Sequence, residues 1–192
     1  LASPLIIFAM CGVLASALLC SRQTDLKSLI AFSSVSHMGL VVAAAMIKSP
    51  WSVSGAMLLM ISHGLVSSAL FCLANTMYER TNSRTLILLQ GSQIILPLAA
   101  AWWLIATMLN MALPPSTNFL GELTILLSVF AWSPVSILLA GLSIMFTTAY
   151  SLYLFWSSQR EYLPTHLDTL APSTSREHIL LALHITPMLI LI

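Results

Sequence analysis

The chain has 192 residues, 58% of them hydrophobic and 7% charged, with a mean hydropathy of +0.95 and a formal net charge of +1. A soluble domain carries about 25% charged residues, so water is not the main solvent of this chain. It has no Lys/Arg cluster with which to neutralise a phosphate backbone, and this excludes nucleic acid as its partner.

The sequence opens at Leu1, without methionine, and stops inside the apolar run LALHITPMLILI, so it reads as an internal piece of a longer protein. Its first apolar stretch lacks the basic leading region and small-residue cleavage site of a signal peptide. A bilayer core of about 30 Å needs about 20 apolar residues per helix, because every backbone N–H and C=O in lipid must be paired within the span. On that measure the chain is expected to be an all-α polytopic membrane protein of about six spans, without a soluble domain.

The first span is expected over about 4–20, the second over 25–47 and the third over 51–77. Thr24 and Asp25 have the pattern of an N-cap followed by a first-turn acid. Pro50 suits a chain that has just left a helix. The weakly polar YERTNSR at 78–84 separates the third helix from the fourth. Apolar sequence then runs from Pro97 to Trp132, broken by Pro114 and Pro115. Its length fits either two short spans or one span of two half-helices.

Loop charges bear on that choice. A single crossing puts Arg22, Lys27, Arg80, Arg84, Arg160 and Arg176 on one side and Lys48 alone on the other, whereas two crossings move Arg160 and Arg176 across. The positive-inside rule favours the single broken crossing. A fifth span is expected over 134–156 and a truncated sixth over 175–192. The T-x-x-E spacing of Thr174 and Glu177 predicts a capping box at the start of the sixth.

Glu122 is the sole Asp, Glu, Lys or Arg between residues 85 and 159. It follows the double proline, which removes two backbone donors and leaves carbonyls free at membrane depth. Irregular backbone there is tolerated only where it is buried in protein or lines a hydrated cavity, and in transporters broken helices mark the ion or substrate path. Asn118 lies four residues earlier on the same helical face, and Gly121 sits beside Glu122. An intramembrane carboxylate of this kind is a candidate proton carrier. The alternative is a structural Glu paired with a cation on a helix outside these residues.

His37, with Ser33 one turn earlier, and His63, with Ser67 one turn later, are also mid-span. Imidazole can pass protons along hydroxyls and waters, or can simply hold two helices together by one hydrogen bond. Three ionisable groups on three helices favour a polar track. Lys27, in the first turn of its helix, can snorkel to the surface. Glu79, Arg80 and Arg84 read as loop and interface residues, and His166 and His178 as connector residues, while His184 lies in the truncated helix.

The methionines and the pair Trp102–Trp103 read as packing groups. Cys11, Cys20 and Cys72 lie in apolar runs without ligand spacing, so neither a zinc site nor a disulfide framework is expected. With no phosphate loop, metal-spaced cluster or nucleophile beside a base, no redox or hydrolytic chemistry is expected within this chain, and no metal or cofactor.

The runs RQTDLKSLIAFSSVSHMGLV (22–41), ISHGLVSSALFCLAN (61–75), MYERTNSR (77–84) and ALPPSTNFLGELTILL (112–127) occur in this order, and the chain resembles throughout the C-terminal part of the subunit 4 family of mitochondrial NADH:ubiquinone oxidoreductase, respiratory complex I. The abundance of Leu, Met, Ser and Thr suits a vertebrate mitochondrial genome. The resemblance implies an antiporter-like, fourteen-helix subunit of a proton-pumping membrane arm, of which this piece holds about the ninth to the fourteenth helix. It matches the family's broken helix and glutamate to Pro114, Pro115 and Glu122, its relay histidines to His37 and His63, and a lysine of open role to Lys27.

The family's central lysines and their partner glutamate lie on earlier helices, so this piece is expected to hold the exit half of a proton path. The resemblance further implies a multi-pass location in the mitochondrial inner membrane, other membrane-arm subunits and lipid as partners, and NADH, FMN, iron–sulfur clusters and ubiquinone in the complex but not in this chain. The rival readings are a subunit of a multisubunit cation/proton antiporter and a structural membrane-arm spacer without a proton path.

Overall fold

The computed structural model describes residues 2–114, 116–159 and 172–191; Pro115, Arg160 and His166 lie outside them. The described residues are helical: α1 (Ala2–Cys20), α2 (Leu26–Ile47), α3 (Pro50–Thr81), a 3₁₀ turn (Leu86–Leu89), α4 (Ser92–Ile95), α5 (Pro97–Asn110), α6 (Thr117–Trp132), α7 (Ser136–Gln159) and α8 (Ser175–Ile190). The one extended pairing among them is an isolated bridge between Asp25 and Thr85. Four helices, α1, α2, α3 and α7, are each long and apolar enough to cross a bilayer. Large side chains such as Phe8 (78% exposed), Leu138 (71%) and Met145 (71%) face outward, which suits lipid or a packed neighbour rather than water. The chain is an all-α polytopic membrane protein.

The helix ends differ in places from what the sequence pattern suggests. Asp25 occupies the N-cap of α2 but makes no side-chain cap there. Instead the first N–H of the helix is met by neighbouring backbone, with Leu26 N donating to Arg84 O at 2.9 Å, while Leu86 N of the 3₁₀ turn donates back to Thr24 O at 3.0 Å. Pro50 is itself the first residue of α3, where its missing N–H is harmless, and the Ser49 hydroxyl caps the helix by accepting from Ser52 N at 3.1 Å. At its far end α3 continues through Tyr78–Thr81 and stops where Asn82 takes a left-handed φ of 51°. The Tyr78–Arg80 segment is therefore helical rather than loop. For α8 the expected start holds, and the Glu177 carboxylate accepts from Thr174 N at 3.2 Å.

Between 86 and 95 the sequence pattern gave no element, yet the chain forms two short helical turns bent by 120° from α5. Three cross-links gather one end of the bundle. Leu26 N reaches Arg84 O, the Ser92 hydroxyl donates to Ser158 O at 3.0 Å, and Arg80 grips both oxygens of Glu177 at 2.9 and 2.7 Å. The start of α2, the ends of α3 and α7 and the start of α8 thus lie together. The described basic residues Arg22, Lys27, Arg80, Arg84 and Arg176 belong to this end, and Lys48 to the other.

Apolar burial falls into two clusters. Near the basic end, Cys20, Leu26, Ile30, Leu70, Trp103 and Leu154 are among the packed residues; near the opposite end, Met10, Leu40, Leu59, Ile125, Val129 and Ala140 are. Between these clusters each long helix presents buried polar residues: Ser16 on α1, Ser33, Ser36 and His37 on α2, Ser62 and His63 on α3, and Ser143 and Thr147 on α7. Asn110, Thr117, Asn118 and Glu122, around the junction of α5 and α6, complete the layer. The molecule is two apolar plugs with a polar layer at mid-height.

Candidate functional site

The layer is built around the interruption between α5 and α6. Helix α5 ends in a Schellman pattern, with Leu113 N donating to Met108 O at 3.5 Å and Ala112 N to Leu109 O at 3.2 Å. The left-handed position of that motif is Ala112, at φ 51°, where glycine is the usual residue, so the turn stores about 1 kcal/mol of backbone strain. Pro114 follows and cannot extend the helix. Ser116 then caps α6, its hydroxyl accepting from Phe119 N at 3.2 Å.

Asn118, with no exposed surface, joins three elements: its Nδ2 donates to Leu109 O of α5 at 3.0 Å, and its Oδ1 accepts from the Ser62 hydroxyl of α3. One turn later Gly121 lies against the Leu59 backbone, and Gly55 of α3 packs against Thr124 and Ile125. The absence of side chains at Gly55 and Gly121 lets α3 and α6 approach closely enough to share the layer. These register points, Gly55 with Thr124, Leu59 with Gly121 and Ser62 with Asn118, make α6 antiparallel to the first part of α3. Val66, Leu70 and Leu73 of α3 share their cluster with Trp103, Ala106 and Leu109 of α5, so α5 and α6 lie in succession along one helix.

This packing brings three of the four candidate residues together. His37 Nδ1 is 3.1 Å from Glu122 Oε1, with the two side chains 1% and 7% exposed. The rings of His37 and His63 lie 4.8 Å apart between centroids, tilted by 35°. Neither ring nitrogen of either histidine meets a protein partner in hydrogen-bond geometry, so the His37–Glu122 approach is a close charge contact rather than an aligned hydrogen bond. A proton on His37 makes this contact an ion pair; a proton on Glu122 leaves two neutral groups. The arrangement can therefore hold one proton in two places, with His63 adjoining.

Lys27 is not part of this group. It precedes His37 by ten residues on α2, about 15 Å along the axis. Its Nζ donates to Asn75 Oδ1 at 3.2 Å and lies 4.8 Å over the Tyr78 ring. Asn75 in turn donates to Glu79 Oε1 at 2.7 Å, so Lys27 and Glu79 are linked through an amide at the basic end. Arg84 stacks near the same Tyr78 ring, at 5.0 Å. His178 receives Trp102 Nε1 at 3.0 Å, and His184 Nδ1 sits 2.8 Å from Leu180 O on its own helix, both remote from the layer. Among the described residues, no three His, Cys, Asp or Glu side chains gather as metal ligands would.

Sequence reasoning missed two participants. Ser62 is buried beside His63 and bound to Asn118, yet an isolated serine in an apolar helix gives no signal of its own. Tyr150, 2% exposed, places its hydroxyl 3.4 Å from that of Ser36. A signal for it existed: Ser143, Thr147, Tyr150 and Ser151 recur at helical spacing on α7 and mark an inward polar stripe.

The model of the NADH:quinone oxidoreductase/Mrp antiporter transmembrane family matches residues 1–148. This chain belongs to that family. Over all 192 residues it is 59% identical to the NADH-ubiquinone oxidoreductase chain 4 of Squalus acanthias and 57% identical to that of Carassius auratus, and over 191 residues 57% identical to that of Struthio camelus. It spans 42% of the length of each of these relatives.

Among solved structures, family architecture recurs in respiratory complex I from Thermus thermophilus with bound NADH, at a TM-score of 0.91 and 27% identity, covering 98% of this chain and 40% of that one. The Mrp complex from Dietzia sp. DQ12-45-1b aligns at a TM-score of 0.78 over 92% of this chain and 32% of that one; at 19% identity the likeness is one of fold.

Proposed function

We propose that this chain is part of a core membrane-arm subunit of a proton-translocating NADH:ubiquinone oxidoreductase in the mitochondrial inner membrane, surrounded by lipid and other membrane-arm subunits. The names of relatives at 56–59% identity favour this over a cation/proton antiporter subunit, the other branch of the family description. Oxidation of NADH, with FMN, iron–sulfur clusters and ubiquinone, takes place on other subunits; this chain contributes a segment of proton path. Helices α5 and α6 act as the two halves of a single crossing. The sorting of the described basic residues to one end supports that topology.

The observation that carries the reading is the buried contact of His37 with Glu122 beside the helix interruption, with His63 adjoining. Intramembrane ionisable groups are costly, and they persist where they mark ion or proton pathways. A charge change upstream, on helices outside these residues, alters whether the proton rests on His37 or on Glu122. His63 relays it between them and the rest of the layer, and Glu122 loads and releases one proton per cycle. Lys27 fixes the start of α2 to α3 and stands outside this path.

The test is Glu122→Gln in the full-length protein within assembled complex, with assembly followed on a native gel and proton uptake per NADH oxidised measured in sealed vesicles. Normal assembly with lost uptake is expected. Normal uptake would leave the interruption as architecture and favour the spacer reading.

A further inference from the structure

Tyr150 belongs by packing to the apolar cluster at the basic end, yet its hydroxyl points out of that cluster. It stands 3.4 Å from the Ser36 hydroxyl of α2. Other buried hydroxyls in the middle of α7 turn back on their own helix: Ser143 to Ala140 O, Thr147 to Ile144 O and Ser151 to Thr147 O. Ser36 spends its proton on Ser33 O at 2.7 Å, so the Tyr150 hydroxyl is the donor in the contact between them. Ser33, Ser36 and His37 form one stripe of α2, spaced i, i+3 and i+4. Tyr150 thus meets the helix face that carries His37.

Beyond Tyr150 lies the apolar plug at the basic end. Leu154 is the next buried residue on this face, and Ser157, Ser158 and Gln159 follow. The side chain of Gln159 and the carbonyl of Ser158 both meet the Ser92 hydroxyl at the basic end, at 3.1 and 3.0 Å. From Tyr150 to Ser158 is eight residues, about 12 Å of helix rise.

From this geometry we infer that Tyr150 is a proton-transfer residue, the step by which protons move between the polar layer and the basic end of the bundle. The inference rests on the proton-path reading above. In the step, the Tyr150 oxygen accepts a proton from a water on one side as its own O–H proton passes to the Ser36 oxygen; the original Ser36 proton turns from Ser33 O to a second water, which in turn gives a proton to a ring nitrogen of His37. Only O–H and N–H bonds break and form, and Tyr150 ends as it began. The opposite direction runs through the same atoms.

The test compares Tyr150→Phe, Ser36→Ala and Glu122→Gln in the full-length protein within assembled complex, scored by native gel, NADH oxidation and proton uptake per NADH in sealed vesicles. Tyr150→Phe keeps the ring and removes one oxygen. The expected result is normal assembly with uptake lowered to the level of Glu122→Gln, and the same loss in Ser36→Ala. Normal uptake in Tyr150→Phe where Glu122→Gln has lost it overturns the role of Tyr150 and leaves that of Glu122 standing. Normal uptake in all three overturns both. Should Tyr150→Phe fail to assemble, Ser36→Ala decides: assembled with lost uptake it supports the step, and assembled with normal uptake it refutes it.

Discussion

Gly121→Ala tests whether close approach of α3 and α6 is what holds the buried group together. A Cβ at this position would lie 3.0 Å from Leu59 N and 3.1 Å from both the Leu59 Cα and Cβ, where ordinary contact begins at 3.4 Å. The obstacle is backbone, so it cannot rotate away, and the helices must part by about 0.4 Å locally. Overpacking of this kind costs about 1–3 kcal/mol, against a gain of up to about 1 kcal/mol from replacing a helical glycine by alanine. Gly141→Ala is the matched control, because nothing lies within 4 Å of a Cβ there, so it feels the propensity gain alone.

The two variants should therefore differ by the overpacking term. Assembled complex carrying each is heated in steps, and the temperature at which NADH-driven proton uptake is irreversibly lost is recorded, together with uptake per NADH at the starting temperature. Gly121→Ala is expected to fail at lower temperature than Gly141→Ala and to lose uptake before it, since moving α6 stretches the 3.1 Å His37–Glu122 contact. Equal behaviour of the two would refute the claim that the glycine contact sets the site.

Lys27→Ala removes a partly exposed contact to Asn75 and is expected to cost about 0–1 kcal/mol while leaving uptake per NADH unchanged; a loss matching that of Glu122→Gln would put Lys27 on the path after all. Glu177→Gln weakens the two-oxygen grip of Arg80 that ties α8 to α3. The expected outcome is earlier protease cleavage at the start of α8 in assembled complex, with uptake per NADH retained, and identical cleavage kinetics in both proteins would contradict it.

What could be read from the sequence and what could not divides along physical lines. Long apolar runs make the span helices α1, α2, α3 and α7 visible, because lipid demands length and hydrophobicity and little else. Glu122, His37 and His63 stand out for the same reason, as ionisable groups where apolar residues are the norm. The interruption after α5 was legible in Pro114 and Pro115, but that α5 stops a few residues earlier, at Asn110, was hidden because Ala112, not a glycine, takes the left-handed turn. The end of α3 was hidden because polar residues such as Glu79 and Arg80 look like a loop until the contact with Glu177 on a distant helix is known. Asn118 announced its face by its spacing from Glu122, but its two partners, Leu109 and Ser62, come from chain segments that only the fold brings near. Tyr150 was overlooked because an aromatic residue in an apolar helix reads as packing, and most of its surface is that.

The position of the interruption follows from the same packing. Helix α3 is long enough to run past both apolar clusters, and its neighbour changes from α6 to α5 between Leu59 and Val66. An unbroken neighbour would keep its carbonyls internally paired and present only side chains to α3. Parting the neighbour at mid-height instead frees the Leu109 carbonyl to accept the Asn118 amide. It also lets α6 start afresh with a rotation that sets Asn118, Gly121 and Glu122 on one face toward α3. That backbone is tolerable in lipid because the Asn118 amide and the Ser116 cap satisfy it from within the protein, with Ser62 holding Asn118 in place. The polar layer and the helix interruption therefore require each other: without the interruption Glu122 has no reason to meet His37, and without the buried polar partners the interruption has no place to exist.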